Sequence, residues 1–305
     1  MIRKIALVFL SLFRCLAAES IPVVFSADFS LPMVEVEIEK NTYFLEIDSG
    51  AAGLFLSLRA DILERINSKE SQGDSQSMDV KGNVYTFPQF LLPKLKVHGY
   101  EFGPFIAEEE SLDFLTKGSV FFESTRDLRV VDHSDGRLGL QWLRKHNWYF
   151  DLANSSLSMI EGEVAKVVPR GYVEVPFEIT RFGIVISART DLGSRKFVLD
   201  SCASASALKR SIVPEDMAKE ISEGRWLFRS RKFILEGENF PNQKFWLLDV
   251  HTLFGDIDGI LGVDFFKKYP IYLDFENRKA YIGPSQQSFL SRYFNWMRDW
   301  WYLGG

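Results

Sequence analysis

Polar and apolar residues alternate most clearly at Val34-Glu35-Val36-Glu37-Ile38 and at Val173-Glu174-Val175, the period of a half-buried strand. Two further β-prone runs, Tyr43-Phe44-Leu45-Glu46-Ile47 and Arg195-Lys196-Phe197-Val198-Leu199, each lead directly into an Asp-Ser pair. A hairpin is expected over residues 78–90, where Gly82-Asn83 supplies the turn between Val80 and Val84-Tyr85; a second turn is expected at His98-Gly99. Helical patterns appear at Leu58–Asn67 and Pro214–Glu223, and otherwise the signal is mostly strand. In the second, Pro214 suits a first helical turn and Glu215-Asp216 its positive end. The pattern as a whole predicts a mostly β protein with a few short helices.

The chain also repeats itself. The segment from Asp135, DGRLGLQWLRKHNWYFDLANSSLSMI, aligns with that from Asp258, DGILGVDFFKKYPIYLDFENRKAYIG, with 8 of 26 positions identical. Each copy predicts a turn, a short amphipathic helix and a strand pair joined at Asp-Leu-Ala-Asn or Asp-Phe-Glu-Asn, where Asn suits a tight turn. Upstream of the copies, Tyr43–Ala51 and Arg195–Ala203 match in the same order, each ending in Asp-Ser-x-Ala. A period of more than a hundred residues denotes a duplicated lobe and not a solenoid. The polar stretch 161–171, with Pro169 and Gly171, marks the junction. The expected organisation is a signal peptide at 1–18, an N-terminal lobe at 21–165, a C-terminal lobe at 166–284 and an aromatic tail at 285–305.

Composition narrows the function classes. A net charge of −5 with no long basic block argues against nucleic-acid binding. Arg3-Lys4, the apolar run Ile5–Phe13 and the small pair Ala17-Ala18 have the order of a secretory signal. The alternative is an uncleaved anchor, although the run is short for a membrane span and Arg14 interrupts it. Cleavage would remove three basic and no acidic residues, shift the charge to −8 and place the protein outside the cytoplasm or in the periplasm. It would also leave Cys202 as the single thiol, so the cores must hold without an intrachain disulfide. No Cys/His group has metal-site spacing, and no cofactor or metal is expected.

Asp48-Ser49-Gly50-Ala51, preceded by Leu45-Glu46-Ile47, resembles the active-site motif of aspartic proteases, and its Ala is closer to retropepsins than to pepsins. Gly259-Ile260-Leu261-Gly262 resembles the hydrophobic-hydrophobic-Gly element of that clan; Leu138-Gly139 matches it in the first lobe, with Arg137 in place of an apolar residue. The resemblance spans about residues 30–283 and implies a bilobal aspartic-protease (double-psi β-barrel-like) fold, two retropepsin-like lobes fused in the pepsin manner into one monomer. It implies Asp48 and Asp200 as a catalytic dyad that shares one proton and activates water against an extended peptide or protein substrate. Ser49 and Ser201 would cross-link the two loops, and Gly50 would let the backbone turn closely beneath the carboxylates.

Lobe two departs from that pattern with Cys202 where the family has Gly, a strained position if it requires positive φ. Two further readings stay open on this residue: a binding protein that kept the fold without activity, and a thiol enzyme using Cys202. The 78–90 hairpin is read as a flap with Tyr85 over substrate, or as a plain surface hairpin; lobe two shows no equivalent. In the tail, Phe289, Tyr293, Trp296 and Trp300 share a helical face, which suits packing on a lobe or contact with a membrane surface.

Overall fold

The computed structural model describes residues 20–26, 30–78, 83–110, 134–222, 224–249 and 255–286. The signal segment 1–18 and the tail residues 287–305 lie outside the described residues, as do 111–133. The protein is mostly β, with two large sheets of ten strands each, one six-stranded sheet, and few short helices.

The two large sheets have one topology. In the first the hydrogen-bonded order is Glu70–Met78, Val84–Leu92, Phe105–Glu110, Leu56–Arg59, Gly136–Leu138, Asn41–Ile47, Pro32–Ile38, Leu95–Val97 and Tyr100–Phe102. In the second it is Ala218–Ser222, Arg225–Ser230, Gln243–Leu248, Ala207–Lys209, Gly259–Leu261, Gly193–Leu199, Gly183–Thr190, Phe233–Leu235 and Glu238–Asn239. Each sheet has one short strand off this path, Val24–Phe25 and Glu178–Thr180 respectively. The expected alternation is present: Val34, Val36 and Ile38 are buried while Glu35 and Glu37 are exposed.

The third sheet joins the lobes, three strands from each: Ser20–Pro22, Ser156–Ile160, Asn147–Asp151, then Ile271–Asp274, Lys279–Ile282, Val173–Pro176. At its centre Tyr149 pairs with Tyr272, Trp148 with Leu273 and Phe150 with Ile271. Tyr149 and Tyr272 are the same position of the repeat, so a pseudo-two-fold axis passes between their stacked rings, 4.1 Å apart. The turns Asp151–Asn154 and Asp274–Asn277 are built alike: each Asp accepts both the backbone N–H and the side-chain amide of the Asn. The left-handed residue follows the Asn in each turn, at Ser155 and Arg278 (φ 55° and 54°).

Three expectations are corrected. Only Ala60–Arg65 of the first helical segment is α-helix, and residues 214–222, the described part of the second, are not α-helical: a single 3-10 turn, Glu215–Met217, leads into the strand Ala218–Ser222. That strand forms a hairpin with Arg225–Ser230, so lobe two does possess a counterpart of the 78–90 hairpin, at the same edge of its sheet. Four of the strand's five residues are exposed, so it carries no buried face and no period-2 signal. The first hairpin closes at Met78 opposite Val84, with Asp79–Gly82 outside the described residues. The His98-Gly99 turn is present, both residues with positive φ.

Candidate active site

The repeated Asp-Gly-x-Leu-Gly segment positions both Asp-Ser loops by backbone contact. Asp135 clamps the strand that leads to Asp48: its N–H donates to the Phe44 carbonyl (2.9 Å) and its carboxylate accepts from the Phe44 N–H (2.8 Å). Asp258 does the same to Lys196 on the strand that leads to Asp200 (2.9 and 2.8 Å). The following glycine is obligatory in both copies, since a Cβ on Gly136 would meet the Ser57 carbonyl at 2.1 Å and one on Gly259 the Ala207 carbonyl at 2.4 Å. The carbonyls of the fully buried Leu138 and Leu261 then accept the N–H of Asp48 (2.8 Å) and of Asp200 (2.9 Å). The final glycines, Gly139 and Gly262, pack against the carbonyls of Leu54 and Ala203.

The two loops are tied together reciprocally. Ser49 Oγ donates to the Leu199 carbonyl (2.9 Å) and accepts from Ser201 N–H (2.9 Å); Ser201 Oγ donates to the Ile47 carbonyl and accepts from Ser49 N–H (3.1 Å). Both serines are completely buried, so four hydrogen bonds in a dry environment hold the loops in register. Each Asp carboxylate accepts two backbone N–H groups on Oδ1: Gly50 and Ala51 for Asp48 (3.0 and 2.9 Å), Cys202 and Ala203 for Asp200 (2.9 and 3.1 Å). The Asp200 carboxyl lies directly against Gly50, where a Cβ would fall 2.5 Å from its Cγ. The role of Gly50 is therefore close approach: its φ is not positive, and neither is that of Cys202, so the expected strain at Cys202 is absent.

Around this symmetric frame the charges are asymmetric. Arg137 donates from a terminal nitrogen to Asp48 Oδ2 (3.2 Å) and from Nε to Glu110 (2.7 Å), with all three side chains at most 15 % exposed. Glu46, on the strand before Asp48 and paired in parallel with Arg137, accepts from the Cys202 thiol at 3.3 Å. Burial, reinforced by Glu110, pushes the Glu46 carboxyl up to about 7. Burial, reinforced by the Asp48 charge, likewise pushes Asp200 up to about 7, against the opposing pull of its two N–H donors and Arg137. At Arg137 burial works against the charge, but Glu110, Asp48 and Glu46 outweigh it and the cation is strengthened. The Cys202 thiol is driven well above its ordinary value by burial and by Glu46, Asp48 and Asp200.

That direction is opposite to what a thiol nucleophile requires. His98 sits in a surface turn and His146 packs against Phe102 and Trp148, while His133 and His251 lie outside the described residues.

The structure brings together Asp48, Ser49, Gly50, Asp200, Ser201 and Cys202. Tyr85 belongs to the end of the first hairpin, opposite Ser77, with its ring 6.4 Å from Phe87. Sequence reasoning noted Arg137 only as a departure, and missed Glu46 and Glu110. The available signal was the internal alignment: Glu46 and Arg137 stand where lobe two has Val198 and Ile260. No protein-family model matches the chain, and no curated protein matches it.

Proposed function

We propose that the chain is an aspartic endopeptidase of the bilobal aspartic-protease fold, cutting extended peptides with a water molecule activated between Asp48 and Asp200. The observation that carries this reading is the reciprocal Ser49–Ser201 lock, which presents two Asp loops from two like lobes across a pseudo-two-fold axis. Such a pair holds one proton between two carboxylates, because adjacent like charges resist joint ionisation. The ionised carboxylate takes a proton from water as its oxygen bonds to the peptide carbonyl carbon. The protonated one gives its proton to the carbonyl oxygen. Collapse of the resulting diol transfers a proton to the amide nitrogen and breaks the C–N bond, with no covalent enzyme intermediate. The hairpins at residues 70–92 and 218–230, each at the outer edge of its lobe's sheet, suit a role as a pair of covers over an extended substrate.

The second reading, a binding protein without activity, draws on the Arg137–Asp48 ion pair and on the Cys202 side chain in place of glycine. One experiment separates the two: incubation of the folded protein with a mixed peptide library from about pH 3 to 8, a span that covers both carboxylates of such a dyad. Cleavage lost in Asp48→Asn and in Asp200→Asn is the expected result. Folded protein that cuts nothing at any pH supports the binding reading, and cleavage that survives both substitutions removes the dyad from the mechanism.

A further inference from the structure

We infer that Arg137 fixes the division of labour within the pair, holding Asp48 as the ionised base and leaving the proton on Asp200. This rests on the endopeptidase reading for its kinetic consequence, but not for the placement of the proton. Both oxygens of Asp48 face donors: Oδ1 accepts from Gly50 and Ala51, and Oδ2 accepts from Arg137. A guanidinium has donors only and does not release a proton in proteins, so Arg137 favours the ionised form of Asp48 and offers no acceptor to a proton on its Oδ2. Asp200 differs: its Oδ1 accepts two N–H groups, while its Oδ2 accepts no hydrogen bond among the described residues. That oxygen is the place for the shared proton. Attacking water therefore gives its proton to Asp48, and Asp200 protonates the carbonyl oxygen.

The guanidinium is itself oriented. Glu110 accepts from its Nε at 2.7 Å, a fork geometry that Lys could not reproduce. The charged and titratable groups around Arg137 and the pair are Glu46 from the strand of Asp48, Glu110 from the strand Phe105–Glu110, and Cys202 and Asp200 from the opposing loop, while the paired strand Leu56–Arg59 places the uncharged Ser57 opposite Arg137. Glu110 and Asp48 flank Arg137 with negative charge, so the cation is retained while its outer nitrogen serves Asp48. Lobe two has Ile260 in the corresponding place and offers Asp200 no such partner. Arg137 is thus a positioning residue, acting on substrate only through Asp48.

The test uses the full chain, Arg137→Ile alone, and the triple variant Glu46→Val, Glu110→Leu, Arg137→Ile, which gives lobe one the residues of lobe two at these three positions. Two readouts are taken. In the first, carboxyl carbon NMR of Asp-labelled protein without substrate follows each dyad group between about pH 4 and 8. The proton is expected on Asp200 in the native protein, and the triple variant is expected to show it shared between the two groups. In the second, the acid limb of the kcat profile is expected to move up by about 1–3 pH units in the triple variant, the range for loss of an adjacent opposite charge. KM should change little, and Arg137→Lys should restore the limb only in part. The inference is overturned if Asp48 carries the proton in the native protein, if the acid limb stays in place, or if the triple variant is faster at every pH. Should the native protein cut nothing, the endopeptidase reading fails, and the NMR titration still decides where the proton sits.

Discussion

The two lobes solve one folding problem with different residues at matched positions. Where lobe one has Glu46, Ser57, Glu110 and Arg137, the same strand registers in lobe two hold Val198, Ala207, Leu248 and Ile260. Strand order and backbone contacts around both Asp loops are otherwise shared. Lobe two therefore shows that this sheet needs no charge there. Buried ion pairs are weak contributors to stability, and apolar replacements of similar volume are often neutral or better. The charges of lobe one are better accounted for by what they do to Asp48 than by what they do for the fold.

The largest effect expected is on the charge set taken apart. Arg137→Ile alone leaves Glu110 buried without its cation and should lower stability by about 3–5 kcal/mol, the usual result of removing one partner of a buried pair. The triple conversion to the lobe-two residues should recover most of that loss in urea unfolding. Equal stability of the two variants would break the comparison, because the charges would then not be acting as a unit.

Next in size is the contrast between Gly50 and Cys202, matched positions with unequal room. Gly50→Ala places a Cβ 2.5 Å from the Asp200 carboxyl carbon, so the dyad must shift. Overpacking of this kind costs about 1–3 kcal/mol. A displacement near 1 Å can lower turnover by about 100-fold. Cys202→Gly should do far less, since it removes only the thiol contact to Glu46. Thermal unfolding and peptide cleavage of the two variants check this, and a benign Gly50→Ala would show that the loops are not in tight register.

Much of this frame was legible in the chain, because backbone proximity leaves a local signature. Asp-Gly-x-Leu-Gly recurs since Asp must clamp a strand, glycine must clear a carbonyl and Leu must fill a core, all within five residues. The link between Ser49 and Ser201, 152 residues apart, was readable only through the resemblance of both Asp-Ser loops to one motif. The hairpin Ala218–Ser230 was not, because an exposed edge strand has no buried face to impose alternation, and Pro-Glu-Asp reads as a helix start. Nor was the Glu46–Arg137–Glu110 group, whose members come from three strands up to 91 residues apart and meet only through sheet register.

The last effect concerns pH. Glu46 has a folded value of about 7 against an ordinary 4.5, so the native state holds a proton that the unfolded chain releases. Its contribution to stability is greatest below the ordinary value and declines as pH rises towards 7. Asp200, raised from 3.8 to about 7, slopes in the same direction. Each group can impose at most about 1.4 kcal/mol per pH unit. Stability should therefore fall between about pH 5 and 7, with these two carboxyls contributing to the slope. Glu46→Gln removes one of them and should flatten the melting temperature against pH over that window. A Val198→Ala substitution at the matched position should lower the curve without changing its slope, because Val198 binds no proton in either state. If Glu46→Gln leaves the slope intact, the buried carboxyl of lobe one is as inert to pH as the valine opposite, and the charge asymmetry between the lobes is confined to Arg137 and Asp48.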